Sequence, residues 1–321
     1  MTILITGAHG FVGHALIQKL QQRHTPVRVS VRTAPTSPSA HWNTIDVRKI
    51  DNIDARTRWE TCLEDVKTIV HLAARAHIMH DRAKDPLAAF RSVNTYGTLN
   101  LAHQAAAAGV RRFIYISSIK VNGESTHATP FRETDKPNPQ DAYAISKWEA
   151  EEGLNRLAQA TSMEIVTVRP PLVYGPGVKG NFLTLLRLLD LNLPLPLKQC
   201  GNRRSLVALD NLVDLVLRCI EHPAAAGQTF LVADGEDLST PELLERLGRA
   251  MHRPARLWKF PASGLRLALK ILGKSAIYER LCGSLQIDAS KARRVLEWIP
   301  PVSIEEGLGQ VAHWYRARSV Q

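Results

Sequence analysis

Short β-branched runs separated by helical stretches, a glycine cluster at the first strand-to-helix junction and a change of rhythm after residue 175 predict an α/β fold. The expected architecture is a doubly wound parallel sheet followed by a smaller C-terminal lobe. Strands are expected at 2–6, 27–31, 44–47, 68–72, 112–117 and 164–168. Apolar-periodic segments at 11–23, 87–108 and 142–161 fall between them and read as helices, which makes βαβ units. The Thr-, Pro- and Asp-rich stretch 124–140 reads as a surface excursion. Beyond Tyr174-Gly175-Pro176-Gly177 come Pro-rich loops, short strands at 206–209 and 229–232, and short helices. The expected division is therefore 1–175 and 176–321, with the second lobe over the carboxyl ends of the first lobe's strands.

Composition narrows the function classes. The 321 residues are 45% hydrophobic and 22% charged, enough to bury a full core. Cys62, Cys200, Cys219 and Cys282 lie far apart with no CxxC pair, which suits reduced thiols in a cytoplasm. His77 and His80, at i and i+3 with no cysteine or paired acid nearby, do not make a metal site, and no metal is expected. The N-terminus has no basic region followed by a long apolar run, so no signal peptide is expected. Nothing approaches the roughly 20 apolar residues of a spanning helix, so stable membrane insertion is not expected. The net charge of +11 is spread over both halves. Without zinc-finger, RNA-recognition or basic heptad signatures, a nucleic-acid partner is not expected. Residues 246–280 hold nine basic side chains and one acid, Glu279, together with Leu265, Leu267, Leu269, Ile271 and Leu272. A basic amphipathic helix can lie on an anionic membrane; a lobe helix with a basic solvent face is the preferred reading.

Thr6-Gly7-Ala8-His9-Gly10-Phe11-Val12-Gly13 follows the first strand and opens a helix. Glycines there permit a tight turn and close approach of backbone to a pyrophosphate, and the helix N-terminus supplies unpaired N–H groups. The spacing is GxxGxxG rather than GxGxxG, but its position in a βαβ unit points to a dinucleotide, with Gly7, His9, Gly10, Phe11, Val12 and Gly13 in the cradle. At the end of the second strand, Val31-Arg32-Thr33 offers no acid for ribose hydroxyls. Arg32 can pair with a 2′-phosphate, so NADP(H) is favoured and NAD(H) remains possible. Asp46-Val47 is read as closing the third strand beside the adenine. Leu72-Ala73-Ala74 closes the fourth, where small residues let a ribose lie against the backbone.

Tyr143 and Lys147 stand at i and i+4 of an expected helix, on one face. An unperturbed phenol, with a pKa near ~10, is a poor acid–base group at neutral pH, and a neighbouring cation is expected to lower it. With TGAHGFVG at 6–13, DV at 46–47, HLAA at 71–74, Asn94 in VNTYGTLNL, ISSIKVNGE at 116–124, YAISK at 143–147 and RPPLVYGPG at 169–177, the chain resembles the extended short-chain dehydrogenase/reductase family, the nucleotide-sugar epimerase/dehydratase group. The resemblance covers the whole first lobe. It implies a Rossmann-type sheet, a nicotinamide cofactor contacted also by Pro170 and Val173, and a Ser-Tyr-Lys set. Tyr143 is implied as acid or base. Lys147 is implied to lower its pKa and bond the ribose. Ser118 is the implied active serine, five residues before Gly123, while Ser117 packs or bonds backbone. Asn94 is implied to support a water network at Lys147.

The dehydratase branch carries an Asp-Glu pair after its active Ser or Thr. Here Ile119-Lys120-Val121-Asn122 follows, with no carboxylate, which argues against dehydration. Two reactions remain. Asn122 stands where galactose-type epimerases carry tyrosine, Arg32 suits NADPH, and SSIKVNGE is similar to enzymes of bacterial O-antigen and exopolysaccharide synthesis, including reductases that make UDP-N-acetylquinovosamine. The expectation is therefore 4-ketoreduction of a UDP-4-keto-6-deoxy-N-acetylhexosamine. The alternative is a UDP-sugar 4-epimerase acting on the glucose or N-acetylglucosamine compound, and a non-catalytic dinucleotide sensor is a third possibility. In the second lobe the resemblance implies that Asn181 and Phe182 grip the nucleotide diphosphate. Arg204, with Arg203 as fallback, and Arg280 are implied to clamp the pyrophosphate. The family also implies a homodimer through 87–108 and 142–161, with 105–108, Leu154, Leu157 and Ala158 as close-packed surface.

Overall fold

The computed structural model describes residues 2–33, 45–76 and 83–319. His77 and His80 lie outside them. The chain runs through β1 (Thr2–Thr6), α1 (Phe11–Gln22), β2 (Val27–Val31), β3 (Asp46–Lys49), α2 (Glu60–Leu63) and β4 (Val66–His71). Next come α3 (Pro86–Arg91), a π-helical turn at Ser92–Gly97, α4 (Thr98–Ala107), β5 (Arg112–Ile116), a 3-10 turn at Ile119–Val121, α5 (Ala142–Ala160) and β6 (Glu164–Arg169). The rest of the chain forms β7 (Leu172–Tyr174), α6 (Gly180–Asp190), β8 (Arg204–Ala208), α7 (Leu209–Glu221), β9 (Thr229–Leu231), β10 (Asp237–Leu238), α8 (Thr240–Ala250), α9 (Ala262–Ile271), α10 (Ser275–Cys282), α11 (Ser290–Leu296) and α12 (Ile304–Ser319).

Seven parallel strands make one sheet in the order β3-β2-β1-β4-β5-β6-β9. The order reverses direction between β1 and β4, and the glycine loop leaves β1 at that switch point, where α/β sheets bind ligands. The period of two along each strand divides the core. Ile3, Ile5, Val70, Ile114 and Val166 face α1 and α7, whereas Leu4, Ile69, Phe113, Tyr115 and Ile165 face α4 and α5. Leu16, Ile17 and Leu20 of α1 recur at helical spacing on the first face, each contributing about 1.5–3 kcal/mol by burial.

The segment beyond 176 is shared between layers. α7 and β9 complete the large sheet and its cover, while β10-β8-β7 forms a second sheet packed with α6, α8 and α12. Phe11, just past the glycine loop, packs against both cores.

Three expectations change and one gains detail. The helix expected over 87–108 is interrupted by the π turn. The stretch 124–140 runs over the surface as expected and is also pinned to the second lobe: Thr126 N–H donates to the Ser284 carbonyl (2.9 Å), Phe131 N–H to Gln286 (2.8 Å), and Asp288 N–H back to Phe131 (2.9 Å). Those donors are satisfied by a segment some 150 residues away, so local composition could not reveal it. Cys200 and Cys282 are not thiols but a disulfide joining the loop before β8 to the end of α10; Cys62 and Cys219 are free and buried. Finally, Ala105, Leu154 and Leu157, expected at a dimer face, lie in the chain's own core with Phe113. Among the described residues no helix is long and apolar enough to cross a membrane.

Candidate functional site

The site gathers at the carboxyl ends of β1, β4, β5 and β6. Gly7 takes φ +74°, and a Cβ there would stand 2.7 Å from the Ala73 nitrogen, so the two strand-end loops touch backbone to backbone. A Cβ on Gly13 would collide with the Gly7 carbonyl. Gly10 is the N-cap of α1, with no side-chain cap and no acid in the first turn. The helix therefore turns uncapped N–H groups toward a cradle of bare backbone, which fits a pyrophosphate. His9 is exposed, and Phe11 and Val12 are half-buried beside it. Phe11 also lies against Gly177, 3.6 Å from where its Cβ would stand.

Thr6 and His71 lock the two loops from below. Thr6 Oγ1 is 2.8 Å from His71 Nδ1 and accepts from Ala73 N–H at 3.2 Å, and His71 Nε2 is 2.9 Å from Thr98 Oγ1. Burial, helped by the Lys147 charge, pushes the His71 pKa down to about 3, so the ring is neutral. Leu72, Ala73 and Ala74 are half-buried along the loop that follows. Buried Asn94, on the π turn, accepts from Arg75 N–H (2.8 Å) and donates to the Arg75 carbonyl (3.1 Å) and Ser146 Oγ (3.0 Å). It ties this loop to α5.

The adenine side needs correction. Asp46 begins β3, pairing in register with Arg28, while the strand ends at Lys49 beside Val31. Asp46 and Val47 therefore stand nearer the amino end of the sheet, away from the glycine loop by about 10 Å of strand. Burial opposes ionisation of Asp46, but hydrogen bonds from Arg28 (2.6 Å) and Arg48 (2.8 Å) outweigh it and hold the carboxyl below its usual range. Exposed Asp51 and Asn52 follow the true end of β3. The alternation 44–47 misled because the strand is shifted by two residues. Arg32 is exposed just after β2 and forms no ion pair among the described residues.

The α5 N-terminus carries the face expected to be catalytic. Asp141 caps it, accepting from Ala144 N–H at 2.7 Å, and also takes the Lys120 ammonium at 2.6 Å. Half-buried Tyr143 feels the neighbouring Ser118 side chain and sits edge-on to Phe90, ring centres 6.1 Å apart. Ser118 caps the 3-10 turn, and its Oγ accepts from Lys120 N–H at 3.3 Å. Lys147, 2% exposed, donates to the Ile116 carbonyl at 2.8 Å and lies 4.5 Å from the centre of the Tyr115 ring. Without a ligand the phenol is not lowered: burial first, then the Asp141 charge, pushes Tyr143 up to about 12, partly opposed by the Ser118 side chain. Burial likewise pushes Lys147 down to about 7, partly opposed by Glu151.

Behind this face is a buried ion pair that no local motif announces. Arg169 Nε donates to both Glu151 oxygens at 3.0 and 3.1 Å, and its Nη1 to Asn122 Oδ1 at 2.9 Å. Ser117 Oγ donates to Glu151. The one clue is the i+8 spacing of Glu151 from Tyr143 on α5. Asn122 thus faces Arg169 and is buried, so the tyrosine missing there says nothing about which sugar chemistry the site performs. Pro170 is buried, its carbonyl taking Ile119 N–H at 3.0 Å, and Val173 packs on the large core.

In the second lobe Asn181 is exposed in the first turn of α6, but Phe182 is fully buried and stacks on Tyr174 at 5.5 Å, so its ring is core and not a ligand contact. Arg204 Nη1 is committed to the carbonyls of Arg280 (2.8 Å) and Gly283 (3.1 Å), capping the end of α10. Arg203 bonds the Asp237 carbonyl at 3.2 Å, and Arg280 is exposed. The structure brings Arg204 and the Arg280 backbone together, with one guanidinium nitrogen already engaged.

Residues 3–233 match the NAD dependent epimerase/dehydratase family. The chain belongs to that family. It is 45% identical over 314 residues to a UDP-glucose 4-epimerase of Vibrio cholerae, covering 97% of this chain and 94% of that one. In fold it is similar to the UDP-glucuronic acid 4-epimerase of Bacillus cereus in complex with NAD (TM-score 0.77, 21% identity, 99% of each chain). It is similar also to the Thermotoga maritima UDP-glucose 4-epimerase with UDP-glucose (TM-score 0.78, 22% identity, 100% of each chain). The Vibrio likeness overturns the expectation of 4-ketoreduction, which leans on the Asn122 departure and on the SSIKVNGE wording.

Proposed function

We propose that this member of the epimerase family is a UDP-sugar 4-epimerase, inverting C4 of a UDP-hexose with the glucose compound as the first substrate to test. The observation that carries the reading is the 45% identity to the Vibrio enzyme over nearly the whole chain. The geometry supports it: Ser118 neighbours Tyr143, and the turn after Ser118 presents buried Ile119 and Val121 with no carboxylate.

The glycine cradle and the uncapped α1 fit a dinucleotide, and NAD is the better reading, because the solved relatives hold it. The NADP(H) preference rests on Arg32 alone. A nicotinamide cofactor held by the glycine cradle and Lys147 would supply reversible hydride transfer at the sugar. This chain's residues do the rest. Tyr143 removes the proton of the C4 hydroxyl and later restores it, Ser118 orients that oxygen, and Lys147 bonds the ribose. Asp51, at the end of β3, is placed to meet the adenine. Arg280, with the free part of the Arg204 guanidinium, holds the pyrophosphate.

The test supplies UDP-glucose to the purified protein and follows the C4 configuration together with absorbance of the reduced cofactor. Interconversion with UDP-galactose and no net cofactor use supports the reading. Sugar that stays unchanged while a 4-keto sugar consumes NADPH stoichiometrically refutes it.

A further inference from the structure

Ten large apolar side chains are exposed among the described residues, and seven belong to one region: Leu191, Leu193, Trp258, Leu267, Ile271, Leu272 and Ile277. The region is continuous. The backbone of Leu195 pairs with that of 256–258 (Leu195 N–H to the Arg256 carbonyl, 2.8 Å; Trp258 N–H to the Leu195 carbonyl, 3.0 Å). Trp258 meets Phe260 edge-on at 5.3 Å, and Phe260 packs over Gly264 in the first turn of α9.

Helix α9 buries no residue completely. Leu265 turns toward the lobe's core and packs against it. Gly264, Leu267, Ala268, Ile271 and Leu272 recur at the i, i+3, i+4, i+7, i+8 spacing of a single stripe. Three of them are large and open to solvent: Leu267 at 59%, Ile271 at 76% and Leu272 at 66%. Arg266 and Lys270 run beside that stripe on the next face, one turn apart, and Lys274 follows just past the helix end. Nearby Arg256 and Lys259 are exposed as well, and these two, with Lys270 and Lys274, form no ion pair among the described residues. The single acid of 246–280, Glu279, faces Arg266 at 3.9 Å.

An outward apolar stripe with an uncompensated basic flank and a tryptophan at its edge has the make-up of a helix lying in a bilayer interface. A soluble partner would have to match the stripe with apolar surface and the flank with acids; an anionic lipid surface offers both at once. We propose that α9, with Trp258 and the 191–193 turn, seats the second lobe on the surface of a bilayer containing anionic phospholipid. The contact is peripheral, since α9 is far too short to span. It does not depend on which sugar the enzyme turns over.

The test is co-sedimentation of the full chain with vesicles of phosphatidylcholine alone, or of phosphatidylcholine with phosphatidylglycerol. The protein should follow the anionic vesicles, leave the neutral ones, and be released as salt rises. Lys270→Gln with Lys274→Gln should weaken partitioning by about 25-fold, at about fivefold for each cation removed. Leu267→Glu with Ile271→Glu should weaken it by at least about tenfold. Both sites are solvent-exposed, so circular dichroism and the unfolding midpoint should stay at wild-type values. Failure to bind anionic vesicles at low salt, or binding that survives Leu267→Glu with Ile271→Glu, overturns the proposal. So does light scattering in which wild type is a dimer and the same variant a monomer, which assigns the stripe to a second copy.

Discussion

Tyr143 and Lys147 sit one turn apart on α5, yet the lysine ammonium turns inward to the Ile116 carbonyl at 2.8 Å and the face of Tyr115. In this state the phenol is held in its protonated form and the lysine close to losing its charge.

Tyr143→Phe should lower turnover by about 10²-fold or more, with cofactor retention unchanged, since only the hydroxyl that moves the proton is lost. Steady-state kinetics beside cofactor content after gel filtration would check it. A variant that keeps most of its rate removes Tyr143 from the chemistry.

Lys147 makes the cofactor-free protein pH-sensitive. Its folded pKa, about 7, is below the unfolded value, so between about 7 and 10 the unfolded chain binds more protons. The sign follows: this group's contribution to stability rises as pH increases through that window. The unfolding midpoint of wild type should gain more from pH 7 to pH 9 than that of Lys147→Met. Equal gains would show that the buried amine does not titrate there.

Glu151 and Arg169 form a buried pair, the carboxylate only 2% exposed. Glu151→Gln strands the guanidinium and should cost about 3–5 kcal/mol in urea unfolding, whereas Glu151→Gln with Arg169→Met should recover much of that loss. A double variant no better than the single one would contradict the pairing.

Gly13→Ala puts a methyl group into the Gly7 carbonyl. Purified variant should carry much less bound cofactor than wild type, because the loop must open to admit the methyl group and the cradle widens with it. Wild-type retention would show that the loop does not hold the pyrophosphate.

Thiol labelling checks the disulfide. Denatured without reductant, the protein should take up alkylating agent at Cys62 and Cys219 alone; after reduction all four cysteines should react. Four labels without reductant would mean that Cys200 and Cys282 stand as thiols.

Features written in local pattern are legible in the amino-acid sequence itself. The strand at 2–6 followed by Gly7, Gly10 and Gly13 makes one turn and one helix start almost regardless of context, because backbone sterics decide it. The i, i+4 placement of Tyr143 and Lys147 needs only a helix. The parallel sheet follows from alternation, since parallel strands require crossovers, although its seventh strand, Thr229–Leu231, is read there as part of the second lobe.

What tertiary packing decided are the quantities that depend on groups distant in sequence. The register of β3 comes from pairing Arg28 with Asp46, which moved Asp46 and Val47 away from the cofactor end. The protonation of Lys147 comes from desolvation and from a carbonyl 31 residues back along the chain. The disulfide spans 82 residues, and the partner of Asn122 is 47 residues on. Phe182 and one nitrogen of the Arg204 guanidinium were spent on core and helix capping by neighbours in the second lobe. Local sequence records a residue's own preferences; its burial, charge and partners are set by what the fold packs against it.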